Sequence, residues 1–172
     1  MNNETPNQPE TMTEAEKEQH FQEVIEYVIN YTKSDYGSGI MKLMQPELIR
    51  CSLKEKEVVI HHHVEDWELN PQGSMHGGLL CAAFDNAYGM ISHYFSDNSF
   101  ITTVDLSTRF LKPIPAGSNL SIRVQARSTG RTLISLTGEA YLDSGLLVAT
   151  SSATFMILRG KPTQINKLHI QN

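Results

Sequence analysis

The residues of this chain whose types and spacing could do chemistry lie in Asn70-Pro71-Gln72-Gly73-Ser74-Met75-His76-Gly77-Gly78, with Asp85 seven positions after Gly78. His76-Gly77-Gly78 leads into a segment from Gly77 to about Phe95 that is apolar nearly all round, through Leu79, Leu80, Ala82, Ala83, Phe84, Ala87, Tyr88, Met90 and Ile91. Such a composition predicts a helix buried on most sides. The first N–H groups of a helix have no partner inside it, and glycine carries no side chain to obstruct them, so this terminus suits an oxygen on which negative charge develops. A Gly-Gly that merely permits close packing is the plainer alternative. Asp85 adds a second element. A carboxylate within a buried apolar helix is costly unless it is paired or used, and no Lys or Arg lies within a turn of it.

Geometry then restricts how these groups work together. At about 1.5 Å of rise per residue, Asp85 lies roughly 12 Å along the axis from Gly77. If both act on one carbonyl, Asp85 must come from a second copy of the helix, so the chemistry predicts a dimer or a dimer of dimers.

The elements that must position these groups follow from periodicity. Residues 1–12 hold little to bury and are expected to be disordered. Thr13 and Glu16 form a possible capping box, and Phe21, Val24, Ile25, Val28 and Ile29 mark an amphipathic helix over 13–33, expected against the domain's own sheet. Leu48–Leu53 and Val58–Val64 read as strands around Lys54-Glu55-Lys56-Glu57. Beyond the central helix, Phe100–Leu111 alternates, with Val104, Leu106 and Phe110 on one face and Thr103, Asp105, Ser107 and Arg109 on the other. Leu120 to Arg127, Thr132–Leu142 and Leu147–Leu158 alternate likewise, and 159–172 reads as a polar tail. Long antiparallel strands with one very apolar helix predict an α+β fold: a curved antiparallel sheet wrapped around that helix, with the N-terminal helix as an extra element.

The bulk properties exclude several classes. With 40% hydrophobic and 19% charged residues, the chain is an ordinary globular domain, and it has no apolar run long enough to span a membrane. A net charge of −5 argues against nucleic-acid binding. Two cysteines without ligand spacing, Cys51 and Cys81, and a polar N-terminus point to a reduced, cytoplasmic protein. Arg109, Lys112, Arg123, Arg127 and Arg131 fall in a stretch without Asp or Glu, which either holds a small polyanion or lines the outward face of strands. In His61-His62-His63, only His61 and His63 share a strand face and no carboxylate or cysteine has ligand spacing, so surface or sheet packing is expected and no metal site. His93 is expected to be a satisfied core or interface histidine, and Ser74 lacks the G-x-S-x-G setting of a hydrolase nucleophile.

The combined pattern N-x-x-G-x-x-H-G-G-x-x-x-x-x-x-D, then T-V-D-L, F-L-K-P-x-P-x-G and G-R-T-L, resembles the hotdog-fold acyl-CoA thioesterases of the phenylacetic-acid-degradation (PaaI-like) type over roughly residues 45–158. The resemblance implies hydrolysis of an acyl-CoA thioester, with coenzyme A as part of the substrate and no separate cofactor. It implies that the Gly77 N–H polarises the thioester carbonyl, that Asn70 assists there or orients the water, and that Asp85 of the partner chain is general base or nucleophile. Thr103 matches a position that holds the water, although a solvated strand threonine is its plainer reading. His76 is first of all a residue that shapes the turn and, with Gly78, borders the substrate. Lys112 and the segment Ser128-Thr129-Gly130-Arg131 are implied to lie near the coenzyme A nucleotide. A hotdog dehydratase or hydratase would need a catalytic His beside the helix acid, which Asp85 lacks. A non-catalytic acyl-CoA sensor would need a DNA-reading module, for which one leading helix is too little.

Overall fold

A computed structural model describes residues 12–34, 37, 39–97 and 99–162. The expected disorder of the N-terminal segment concerns residues that lie outside this set, Met12 excepted, as does the tail from 163 onward. Helix α1 spans Glu14–Lys33 and begins with the expected capping box: Glu16 accepts from the Thr13 N–H at 2.6 Å, and its own N–H donates to Thr13 Oγ1 at 3.3 Å. Its buried stripe is Phe21, Ile25, Val28, Ile29 and Thr32. Helix α1 rests on the first strand, as expected of a sheet-covering helix, and also on the end of the central helix, where Phe21 meets Tyr94 edge-on at 4.8 Å. A short helix α2, Gly39–Met44, was not foreseen; one and a half turns are too few for periodicity to register.

The strands are β1 (Glu47–Ser52), β2 (Glu57–His63), β3 (Ser99–Phe110), β4 (Asn119–Thr129), β5 (Leu133–Leu142) and β6 (Leu147–Pro162), with helix α3 (Gly77–Phe95) between β2 and β3. They form one antiparallel sheet in the order β1-β2-β4-β5-β6-β3, with α3 packed on its inner face, as the alternation and the apolar helix implied. β6 runs past the expected end at Leu158 because the start of β3 supplies pairing partners there, Phe100 to Leu158 and Ser99 to Pro162.

The fit of α3 to the sheet is a matter of size. Phe84 and Tyr88 are fully buried and stack 6.1 Å apart, while the strands beneath present Ala126, Gly138, Ala140, Ala149, Ser151 and Ala153. A Cβ at Gly138 would come within 2.7 Å of Tyr88 Oη and 3.0 Å of the Phe84 ring. Gly138→Ala therefore overpacks the centre of the domain and should destabilise it by about 1–3 kcal/mol in urea titration. An unchanged urea midpoint would mean the two rings can shift freely.

Alternation fails in β3. Thr103 pairs with Phe155 and Asp105 with Thr154, so Val104 is an extra, bulged residue and lies exposed. The bulge changes which residues share a face. Thr103 turns toward α3 rather than lying with Asp105, and beyond the bulge Leu106 and Thr108 carry the inner face.

Candidate active site

The N-terminus of α3 is built by residues that occupy one another. His76 is the N-cap: its Nδ1 accepts from the Gly78 N–H at 3.0 Å, and its carbonyl accepts from Leu79 and Leu80. The Gly77 N–H has no hydrogen-bond partner among the described residues and is left as the donor at this terminus. A Cβ on Gly77 would press on the Phe110 ring at 3.1 Å, so a glycine keeps this N–H beside the end of β3. Asn70 holds the preceding loop. Its Oδ1 accepts from the N–H groups of Gln72 and Ser74, and its Nδ2 donates to Ser74 Oγ at 3.0 Å. An amide nitrogen has two hydrogens, so one remains to donate elsewhere. Asn70, Gly77, Phe110 and Lys112 line one cavity of about 390 Å³.

Asp85 lies elsewhere. It is half-buried, accepts from Thr103 Oγ1 at 2.8 Å through Oδ1, and lines a second cavity of about 460 Å³ between α3, the start of β3 and the N-terminal helices. Sequence-expected residues thus gather into two groups, Asn70 with Gly77 and Lys112, and Asp85 with Thr103. Within one chain the groups do not meet.

The turn Ser128-Thr129-Gly130-Arg131 falls at the Thr103 end of the sheet, since Leu133 pairs with Met156 and Met156 with Thr102. Lys112, just past β3, is at the opposite end, so in one chain it does not neighbour that turn. Lys56 Nζ donates to Thr129 Oγ1 at 3.2 Å, and the Gly130 N–H closes the turn on Leu133 O at 2.9 Å. The basic stretch is not one patch. Arg123 bonds to the buried Glu57, which also meets Arg50 at 2.7 Å, so its charge is already matched. Arg127 donates to Thr137 at 2.8 Å. Arg131 and Lys112 have no carboxylate partner among the described residues.

A buried pair was missed in sequence. His62 and Glu68 are 2% and 0% exposed, and His62 Nε2 lies 3.0 Å from both Glu68 carboxylate oxygens. His62 packs in the sheet, within the surface or sheet-packing role expected of the histidine run, and its partner comes from the turn of Asp66–Glu68, which folds Glu68 back under β2. Glu68 also accepts from the Glu65 N–H at 2.9 Å, and its backbone carbonyl accepts from the His76 N–H at 2.7 Å. The available signal was His62 on the inward alternation of β2. Among the described residues, no three His, Cys, Asp or Glu side chains gather as metal ligands. His93 is buried, as expected of a core histidine, and lines the cavity beside Asp85.

A model of the thioesterase superfamily matches residues 72–149, the span from the α3 loop into β6. The chain has the hotdog fold, and over these residues it is similar to the thioesterase superfamily. The hotdog domain superposes on PaaI of the Escherichia coli phenylacetic acid degradation operon with a TM-score of 0.68 at 21% identity, covering 81% of this chain and 99% of that one. A phenylacetic acid degradation-related protein from Ralstonia eutropha JMP134 gives 0.66 at 26% identity, over 76% and 99% of the two chains. A Streptococcus pneumoniae TIGR4 thioesterase-like protein solved with coenzyme A gives 0.60 at 23%, over 69% and 88%. No curated protein matches this hotdog sequence significantly. No helix among its described residues is long and apolar enough to cross a membrane.

The His62–Glu68 pair anchors the loop ahead of the α3 terminus, so removing one partner leaves a buried polar group unsatisfied. Glu68→Leu should cost about 3 kcal/mol of stability in urea titration. A wild-type midpoint for that variant would show that the pair contributes nothing.

Proposed function

We propose that this protein hydrolyses an acyl-CoA thioester to the free acid and coenzyme A, in a site shared between two copies of the chain and with no cofactor. The observation that carries the reading is the divided site: an open Gly77 N–H beside Asn70 in one cavity, and Asp85 with Thr103 in the other. Both groups border β3, an edge strand whose outer side has no partner among the described residues. An unpaired edge of this length invites strand pairing with a second molecule, and Phe100, Val104, Phe110 and Leu111 are exposed along it. Antiparallel pairing of two β3 strands about a two-fold axis between Leu106 and Ser107 sets Thr103 of one copy opposite Phe110 of the other. The Asp85–Thr103 pair of each copy then faces the Gly77 terminus of its neighbour.

In that arrangement the Gly77 N–H and an Asn70 amide N–H donate to the thioester carbonyl oxygen. The Asp85 carboxylate of the partner subunit takes a proton from water, whose oxygen attacks the carbonyl carbon. The C–O bond forms, the oxyanion is held by the two donors, and collapse breaks the C–S bond. The thiolate leaves as coenzyme A and receives a proton. Thr103 occupies Asp85 Oδ1 and so turns Oδ2 toward the water. Direct attack by Asp85, giving a mixed anhydride that water then opens, uses the same groups. Lys112 of one copy and Arg131 at the β4–β5 turn of the other then lie on one rim, where two unmatched cations suit the nucleotide phosphates.

Asp85→Asn should keep the fold and the dimer while turnover, read as thiol release from a panel of acyl-CoAs, falls about 100-fold or more. Turnover at the wild-type rate would remove Asp85 from the mechanism. The shared site is tested by mixing. Asn70→Ala and Asp85→Ala homodimers should each be nearly inactive, whereas a heterodimer of the two rebuilds one complete site and recovers about half of wild-type activity. A verified heterodimer with no recovery would exclude a site shared between copies.

A further inference from the structure

The charged residues of β3 are Asp105 and Arg109. Both are exposed, and neither side chain makes a hydrogen bond or an ion pair with another described residue. They lie on the face of the sheet turned away from α3. Asp105 pairs with Thr154 and Arg109 with Thr150, threonines whose neighbours along β6, Ala149, Ala153 and Phe155, are buried. Arg109 stands with Arg123 and Arg127 around a hollow of about 370 Å³. Glu139, on the same hollow, is two strands away through Thr150, about 10 Å at the spacing of paired strands. It accepts from Tyr141 at 2.8 Å and lies 3.9 Å from Arg123. Arg109 is thus set among cations, and Asp105 faces the free edge with its charge unmatched among the described residues.

When a strand pairs antiparallel with its own copy, two different residues come opposite each other in a single register, and the two-fold symmetry makes that contact twice. Val104 is the extra residue of the bulge, so Thr103 and Asp105 occupy successive rungs of the ladder. The pairing that sets Thr103 opposite Phe110 of the partner subunit therefore sets Asp105 opposite Arg109 of the partner subunit. The faces agree as well, because directly opposed residues share a face. Thr103 and Phe110 turn toward α3, where they meet Asp85 and Gly77, and Asp105 and Arg109 turn away. The divided site and the two charges require the same register for unrelated reasons. A slip of two residues, the smallest that keeps each face, would set Asp105 opposite Ser107 or Leu111. It would also carry Asp85 about 7 Å along the strand from the Gly77 terminus it faces.

We propose that Asp105 of each copy forms an ion pair with Arg109 of the partner subunit, and that these two pairs lock the register of the β3–β3 edge in which the shared site is assembled. This deepens the shared-site reading and rests on it. Burial of Phe100, Val104, Phe110 and Leu111 favours pairing without direction, whereas opposed charges distinguish one register from the next. Asp105 and Arg109 are positioning residues and touch no reacting atom.

The test is an exchange of charge. Arg109→Asp sets carboxylate against carboxylate twice in its homodimer, and Asp105→Arg sets guanidinium against guanidinium twice. Each should raise the dimer dissociation constant, read by sedimentation equilibrium, about 10-fold or more. Mixing the two variants restores both opposite-charge contacts, so the heterodimer should form in large excess over either homodimer in native mass spectrometry. The double variant Asp105→Arg/Arg109→Asp should dimerise nearly as tightly as the wild type. It should also recover the thiol release that each single variant loses at dilute protein. If a charge-reversed chain fails to fold, Asp105→Asn, Arg109→Gln and their combination decide the matter, since removing the second partner should cost nothing once the first is gone. Variants that dimerise like the wild type and mix in statistical proportions would overturn the ion pairs while leaving the shared dimer intact. A wild type that is monomeric at assay concentration would overturn the shared-site reading itself, and the ion pairs with it.

Discussion

A helix is a rigid rod, and the separation of Asp85 from the N-terminus of α3 along that rod constrains everything else in this domain. The donor end and the carboxylate cannot converge on one atom from the same helix. The chain responds by placing each group in its own cavity, at opposite ends of the strand on the free edge of the sheet. Burial of α3 makes the separation permanent. Phe84 and Tyr88 sit over a floor of glycine and alanine, and a helix packed that closely cannot slide to shorten the gap.

Much of this was legible in the amino-acid order, for reasons that differ by element. α3 announced itself because an apolar stretch of that length has to be buried, and Asp85 stood out against it. The strand alternations were readable because one face of each strand meets α3, which gives a period of two. What escaped depended on relations between distant residues. Thr-Val-Asp-Leu suits a regular strand at every position, so nothing local marks Val104 as the bulge, and the face of Thr103 was assigned wrongly as a result. Glu57 matches the charges of Arg50 and Arg123 only because β2 lies between β1 and β4, and no count of charges along the chain contains that adjacency.

The loop before α3 shows how polar groups are used where precision is needed. His76 is taken up with Gly78, Asn70 Oδ1 with two backbone N–H groups, and Glu68 with His62, Glu65 and, through its carbonyl, His76. Each bond removes a freedom from the turn and leaves the Gly77 N–H as the donor without a partner. The resulting rigidity suits the proposed oxyanion role, since donors aimed in advance need no rearrangement during reaction.

The strand order also governs how the domain is assembled. Among the described residues, β3 follows α3 in the chain but pairs only with β6, the last of their strands, while β4 and β5 come between them. During synthesis β3 therefore leaves the ribosome with both edges unpaired and stays so until the final strand has emerged. Such dependence on sequence-distant contacts makes for slow closure of the sheet. For that interval an unfinished chain exposes the very strand that the finished protein uses at its edge, and a chain truncated before β6 loses the inner pairing of β3 altogether.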